Sequence, residues 1–234
     1  VVTAAHCVWS NGAFGSWVPL TNVATTDGLA GNNSANSPAI SVIVYSEYDE
    51  YLSRGDIALV KVNDVFGGAY ANLATDQENT GAESLFSQAT AVGFGRISQN
   101  GPTSVVGLEV STRLWSQAQC SKQWSYRGVT FFSGFICSQG STAATVCNGD
   151  SGGPLFVIVN GERKLSGVLS FGAASGCGVS FSVHTRVNTY LDFLQKYALG
   201  TPAVVIPELP PLPGEGVVDV ELPTLPVFTA IRPI

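Results

Sequence analysis

Methionine does not occur in this 234-residue chain, and its eleven lysine and arginine residues nowhere gather into a run. With no basic stripe, a formal net charge of -6 and an isoelectric point near 4.8, the chain lacks the electrostatic footprint of a nucleic-acid-binding protein or of one drawn to an anionic membrane. Long hydrophobic runs are missing too. The apolar stretches "LFVIV" at 155–159 and "AVVI" at 203–206 fall far short of the roughly 20 residues of a membrane-spanning helix. Paired C-x-x-C clusters of a structural zinc site are also absent, and no other metal constellation stands out. Glu47, Asp49 and Glu50 lie close together, as the acids of a solvated loop do.

What remains is apolar and cysteine-bearing. A chain with 45% hydrophobic and 12% charged residues buries a sizeable core, in one large domain or two small ones. Its five cysteines read as disulfide formers with one left over, which implies an oxidising compartment: secreted or extracellular, with periplasm and cell surface included. The opening residues "VVTAAHCV" read as the middle of a buried strand and not as a start or a signal peptide, so the chain is expected to be a fragment or a processed piece. "NNS" at 32–34 places a glycosylation acceptor at Asn32.

Strands are expected at 40–45, 56–62, 89–95 and 105–115, where turn signals separate β-branched and aromatic runs. Val106, Leu108, Val110, Thr112 and Leu114 alternate with their neighbours, the period of a half-buried strand. Residues 155–171 read as a hairpin turned by Asn160 and Gly161. The segment around 64–88 is read as a connection between two β units. One helix is expected at 188–199, capped by Asn188 and ended by Gly200, with Tyr190, Leu191, Leu194, Tyr197 and Ala198 at helical spacing. Residues 201–234 hold eight of the twelve prolines and a single basic residue, Arg232, a composition suited to an extended linker or tail.

The stretch "CNGDSGGPL" at 147–155 sets Ser151 among glycines, which permit backbone conformations and close approaches that a side chain would block. Ser151 is therefore a candidate nucleophile, although a plain glycine-rich turn accounts for the same residues. A serine hydroxyl attacks a carbonyl poorly until a base removes its proton, and histidine suits that role because its pKa lies near neutrality. The two histidines are His6 in "TAAHC" and His184 in "SVHTRV". Asp56, at the entrance to the strand "RGDIALVKV", suits a group that orients the imidazole, although aspartates also serve simply as turn residues.

"TAAHC", "GDIAL" and "GDSGGP" follow in the order His, Asp, Ser, 50 and 95 residues apart, one of the known chain orders of a catalytic triad. On these motifs the chain resembles the trypsin/chymotrypsin family of serine endopeptidases over residues 1–199. The resemblance implies an all-β architecture of two Greek-key six-stranded β-barrels and a C-terminal helix. The first barrel would span roughly 1–85, the second roughly 86–187 and the helix 188–199, with 200–234 outside as the proline-rich tail. Lacking the strands that precede "VVTAAHC" in the family, the first barrel would be incomplete, with unpaired strand edges.

It further implies that Ser151 attacks the scissile carbonyl, that His6 takes its proton and returns one to the leaving amine, and that Asp56 holds the imidazole and stabilises the imidazolium. The backbone N–H groups of Gly149 and Ser151 would form the oxyanion hole. Cys120 would pair with Cys137, and Cys147 with Cys177, while Cys7 would normally bond a cysteine upstream of this chain. Protein or peptide substrates and proteinaceous inhibitors are the implied partners, and no cofactor or metal is implied. A non-catalytic homologue that uses the scaffold for binding is the alternative, and the intact His6, Asp56, Ser151 and Gly149 count against it.

For specificity, the residue six before the nucleophile would lie at the base of the pocket. It is Thr145, not an aspartate, so cleavage after arginine or lysine is not expected. Ser170, Phe171 and Gly172 would pair with substrate backbone and leave the pocket mouth open, and Ser182 would fall on the rear wall. A neutral P1 side chain of moderate to large size is expected. His184 is read as a packing replacement for a tyrosine, the other reading being a polar pocket for an acidic or amide side chain. Active members of the family insert a new amino terminus beside the residue matching Asp150. With that terminus absent, the chain alone is expected to be inactive or poorly folded and the complete protein competent.

Overall fold

The computed structural model describes residues 1–10, 13–14, 23–26, 34–37, 39–62, 71–125, 128–141, 144–173, 176–178 and 181–198. Asn32, Gly200 and the proline-rich segment lie outside the described residues. The first part of the chain contains β1 (Val2–Thr3), β2 (Trp9–Ser10), β3 (Ala13–Phe14), β4 (Val23–Thr26), β5 (Ser34–Ser37), β6 (Ala39–Val44) and β7 (Ala58–Val62). A 3-10 turn at Ala5–Cys7 follows β1. After β8 (Asn72–Leu73) and helix α1 (Asp76–Ser84) come β9 (Gln88–Gly93), β10 (Leu108–Trp115), helix α2 (Gln117–Ser125), β11 (Phe135–Gln139), β12 (Pro154–Val159), β13 (Glu162–Phe171) and β14 (Ser182–Arg186). A 3-10 turn at Val187–Tyr190 leads into α3 (Leu191–Ala198).

The second unit is a closed barrel. Strands β12, β9, β10, β11, β14 and β13 pair in that order, and β12 pairs back onto β13. Its pairings are antiparallel, and the short β8 adds to β13 in parallel. In the second half of β10 Thr112 and Leu114 are buried while Ser111 and Arg113 face solvent, as the expected alternation has it, but Leu108, expected on the buried face, is exposed at the start of the strand. The β12–β13 hairpin turns at Asn160 and Gly161, both at positive φ (53° and 81°), as a two-residue turn matching strand twist requires. Among the described residues the first unit is a β1–β7–β6 sheet with two separate hairpins, β2–β3 and β4–β5, and it does not close.

One apolar cluster locks the two units together. Val2, Ala4, Ile57 and Leu59 from the first pack with Phe156, Leu165, Val168, Val187, Phe193 and others from the second and from the C-terminal helix. Burying each of the Val, Ile, Leu and Phe side chains among them is worth about 1.5–3 kcal/mol relative to exposure. Tyr45 adds edge-on contacts to Tyr190 and Phe193, with centroids 4.9 and 5.5 Å apart. The segments carrying His6 and Asp56 are thereby pressed onto the barrel that carries Ser151.

Helix α1, within a segment read from sequence as a connection, is held by polar groups. Thr75 and Glu78 form a reciprocal capping box at its start. Its buried Asn79 accepts from Ser166 Oγ at 2.6 Å and donates to Asn188 Oδ1 at 2.7 Å. Glu83 forms a buried ion pair with Arg186, and burial outweighs the arginine's charge in raising the Glu83 pKa. Asn188 consequently does not cap the C-terminal helix; its side chain bridges Asn79 and Asp76 of α1.

Candidate active site

Asp56 stands just before β7 and is only 1% exposed. Its carboxylate accepts from the His6 backbone N–H at 2.8 Å, from His6 Nδ1 at 2.7 Å and from Ser170 Oγ. A buried carboxylate is tolerated only when its lone pairs are satisfied, and three donors do this. The Asp56 carbonyl is held in turn by Thr185 Oγ1 at 2.8 Å. Ser170 reaches Asp56 from a register irregularity in β13 between Leu169 and Phe171, the kind of local bulge that re-aims a side chain.

Because the carboxylate faces Nδ1, that nitrogen carries the proton in the neutral ring and Nε2 is left as the acceptor. The imidazole is partly open to solvent, with 34% of its side chain exposed. Burial lowers the His6 pKa, but the hydrogen bond and charge of Asp56, with a contribution from Cys7, outweigh it and raise the value from 6.5 to about 10. The folded state gains from imidazolium–carboxylate pairing fully below about pH 6.5, and loses that gain as pH rises through about 10. Cys7 Sγ lies 3.7 Å from His6 Nε2. Capping that sulfur by S-methylation is expected to lower the His6 titration midpoint, measured from its ring proton resonances; an unchanged midpoint would show that Asp56 alone sets it.

Ser151 is exposed on a turn fastened from several sides. Asp150 takes the Gly95 N–H at 2.7 Å and the Cys147 N–H at 2.8 Å. Gly152 N–H donates to Leu169 O, and Leu169 N–H to Gly153 O, each at 2.8 Å. Gly149 and Gly152 adopt φ of +95° and +78°, conformations that other L-residues rarely adopt. Gly152 also touches the segment carrying His6: a Cβ there would lie 2.3 Å from Thr3 Oγ1 and 3.1 Å from Cys7 Sγ. The serine turn thus abuts, through Gly152, the segment whose His6 is held by Asp56.

Beside Ser151 opens a cavity of about 310 Å³ whose walls include Val146, Leu169, Phe171, Gly172 and Ser182. A Cβ at Gly172 would meet nothing within 4 Å, so the mouth is open there. Thr145 and Asp150 line an adjoining cavity of about 400 Å³, and the Ser170 hydroxyl is committed to Asp56. His184 is fully buried with Nε2 2.8 Å from Ser138 Oγ, and burial lowers its pKa from 6.5 to about 3. It is therefore neutral at physiological pH and does not line the cavity beside Ser151. Disulfides join Cys120 to Cys137 and Cys147 to Cys177, the latter tying two walls of that cavity, while Cys7 is a free thiol.

The sequence model of the trypsin family matches residues 1–194. The chain belongs to the trypsin family. Among curated relatives of this trypsin-family protein, chymotrypsin-like elastase family member 1 of Macaca fascicularis is 32% identical over 199 residues, covering 84% of this chain and 74% of the relative. The elastase of the same name from Canis lupus familiaris is 31% identical, with 84% and 76% covered. Chymotrypsin-C of Bos taurus is 29% identical over 202 residues, with 84% and 73% covered. The protein is thus a member of the serine-type endopeptidases, and its closed second barrel, incomplete first unit and C-terminal helix are the expected family fold.

Two hydroxyls brace Asp56 in ways the sequence did not indicate: Thr185 is in no expected site, and Ser170 is expected there only for its backbone. Thr185 holds the Asp56 backbone, and Ser170, expected to serve substrate backbone, turns its side chain to the Asp56 carboxylate. Neither side-chain role had a local signal, because both depend on how β13 and β14 pack behind the first unit.

Proposed function

We propose that this protein hydrolyses peptide bonds through an acyl-enzyme intermediate, with Ser151 as nucleophile, His6 as general base and then acid, and Asp56 as the group that orients and charges the imidazole. The observation that carries the reading is the double grip of Asp56 on His6, through backbone N–H and Nδ1. In the neutral ring, whose share grows as pH rises toward the raised His6 pKa, it leaves Nε2 as the basic atom near the serine turn, which Gly152 brings against the His6 segment. Attack moves the Ser151 proton to Nε2 and forms the bond from Oγ to the carbonyl carbon. Collapse of the tetrahedral species expels the amine, which takes the proton from Nε2, and water repeats the sequence to release the acid. The N–H groups of Gly149 and Ser151 receive the developing oxyanion, Gly149 being kept free of a side chain at its positive φ.

The preferred P1 residue is neutral. None of the described residues lining the cavity beside Ser151 is ionised, so an arginine or lysine head group would lose its hydration without a compensating charge. The neutral, enclosed His184 offers nothing to an acidic side chain, which supports its reading as a packing residue. Peptide amides with phenylalanine, leucine, alanine, arginine and glutamate at P1 test this: kcat/KM is expected to favour the neutral members, and Gly172→Val to shift the preference towards alanine by filling the open mouth. Fastest cleavage after arginine or glutamate would overturn the assignment. Two disulfides among the described residues support a secreted or extracellular setting, with protein substrates and proteinaceous inhibitors as the partners.

A further inference from the structure

Gln99 belongs to no motif; it lies in the connection between β9 and β10, yet its side chain lines the cavity beside Ser151. Its Oε1 accepts from the backbone N–H of Cys177. An amide N–H only donates, so the oxygen of Gln99 must be the atom facing Cys177, which fixes the orientation of the side-chain amide. The neighbouring Gly176 makes this approach feasible, since a Cβ there would lie 2.8 Å from the same oxygen. Three residues earlier the same connection is fastened to the opposite wall, where Arg96 N–H donates to Asn148 O at 2.8 Å. The connection therefore spans both walls of the cavity, 146–149 through Arg96 and 176–178 through Gln99. The Cys147–Cys177 disulfide ties these walls at one point, and Gln99 adds a second tie at an exposed edge.

We propose that Gln99 is a specificity-determining positioning residue: by clamping the Cys177 amide it fixes the separation of the two cavity walls, and so the size of neutral side chain that binds there. The inference rests on that cavity being the primary substrate subsite. In Gln99→Leu a side chain of similar size keeps the bulk and loses the acceptor, so the Cys177 N–H is left unpaired and the wall is free to move. KM for the best P1 substrate is expected to rise about two- to tenfold, the worth of one hydrogen bond, with kcat little changed and the KM differences between P1 side chains flattened. Gln99→Glu keeps an acceptor oxygen at the same reach and is expected to restore KM. Gln99→Asn, too short to reach Cys177, is expected to behave like the leucine variant.

Unfolding temperatures of all variants are measured alongside, because a merely structural role would move stability without the KM pattern. Calorimetric binding of indole, a neutral probe that needs no turnover, is expected to weaken several-fold in the leucine and asparagine variants and to hold in the glutamate variant. Equal KM and equal indole binding across the series, a glutamate variant as impaired as leucine, or no indole binding by the parent protein overturns the proposal. Fluorophosphonate labelling of Ser151 separates the two readings. A parent protein that binds indole in this pattern but is not labelled would defeat the endopeptidase mechanism and leave the Gln99 clamp standing.

Discussion

Asparagine in place of Asp56 is expected to lower kcat by about 10⁴-fold with the fold intact, the scale associated with losing the carboxylate of such a triad. The carboxylate receives the His6 N–H, the His6 Nδ1–H and the Ser170 hydroxyl, all of them donors. An asparagine offers one acceptor oxygen and turns an NH₂ group on at least one of those donors. If the NH₂ faces the ring, His6 must present an unprotonated Nδ1, and its proton moves to Nε2, the atom required to accept from Ser151. The imidazolium also loses its buried counter-charge, so the His6 pKa falls from the raised value of about 10. The check is kcat for a neutral-P1 peptide together with the His6 tautomer read from its ring nitrogen shifts. A loss of less than tenfold, or a tautomer unchanged by the substitution, would reduce Asp56 to a turn residue.

Alanine at Gly152 is expected to cost activity on the order of 10²-fold or more through displacement alone, since misplacing reacting groups by about 1 Å has effects of this size. The methyl group meets two obstacles. At φ +78° an L side chain is strained by roughly 1–2 kcal/mol, and the new Cβ would lie 2.3 Å from Thr3 Oγ1 and 3.1 Å from Cys7 Sγ. The turn bearing Ser151 must back away from the His6 segment to relieve the contact. The loss is expected chiefly in kcat, with a smaller rise in KM for a neutral-P1 peptide because Gly152 is bonded to Leu169, one wall of the cavity. Steady-state kinetics and circular dichroism separate this from unfolding, and Thr3→Ala in the same chain is expected to recover part of kcat by removing the nearer obstacle.

The motifs on which the proposed mechanism rests stand out in the sequence because each is local: a histidine beside a cysteine, an aspartate entering a strand, a serine between glycines. So does much of the second barrel, where the second half of β10 alternates and the Asn160–Gly161 pair turns the β12–β13 hairpin. Helix α1 escaped because it docks through Asn79 and Glu83 and not through an apolar stripe, so hydrophobic periodicity had nothing to find. The place of Asn188 before a helix suggests a cap, but the arrival of α1 at that spot gives it other partners. The Ser170 side-chain contact and the place of Gln99 were opaque for a related reason. A bulge in β13 aims the first at Asp56, and loop closure across the cavity brings the second to Cys177. Contacts made only by long-range packing leave no local pattern.

The most direct measurement is covalent labelling of the complete, processed protein by a fluorophosphonate, with the modified residue located by peptide mapping. One adduct per chain is expected, on Ser151, absent in Ser151→Ala and slowed at least a hundredfold in His6→Ala, because the alcohol reacts only when the imidazole removes its proton. An unlabelled protein, an adduct on another residue, or a rate indifferent to His6 would contradict Ser151 as the activated nucleophile.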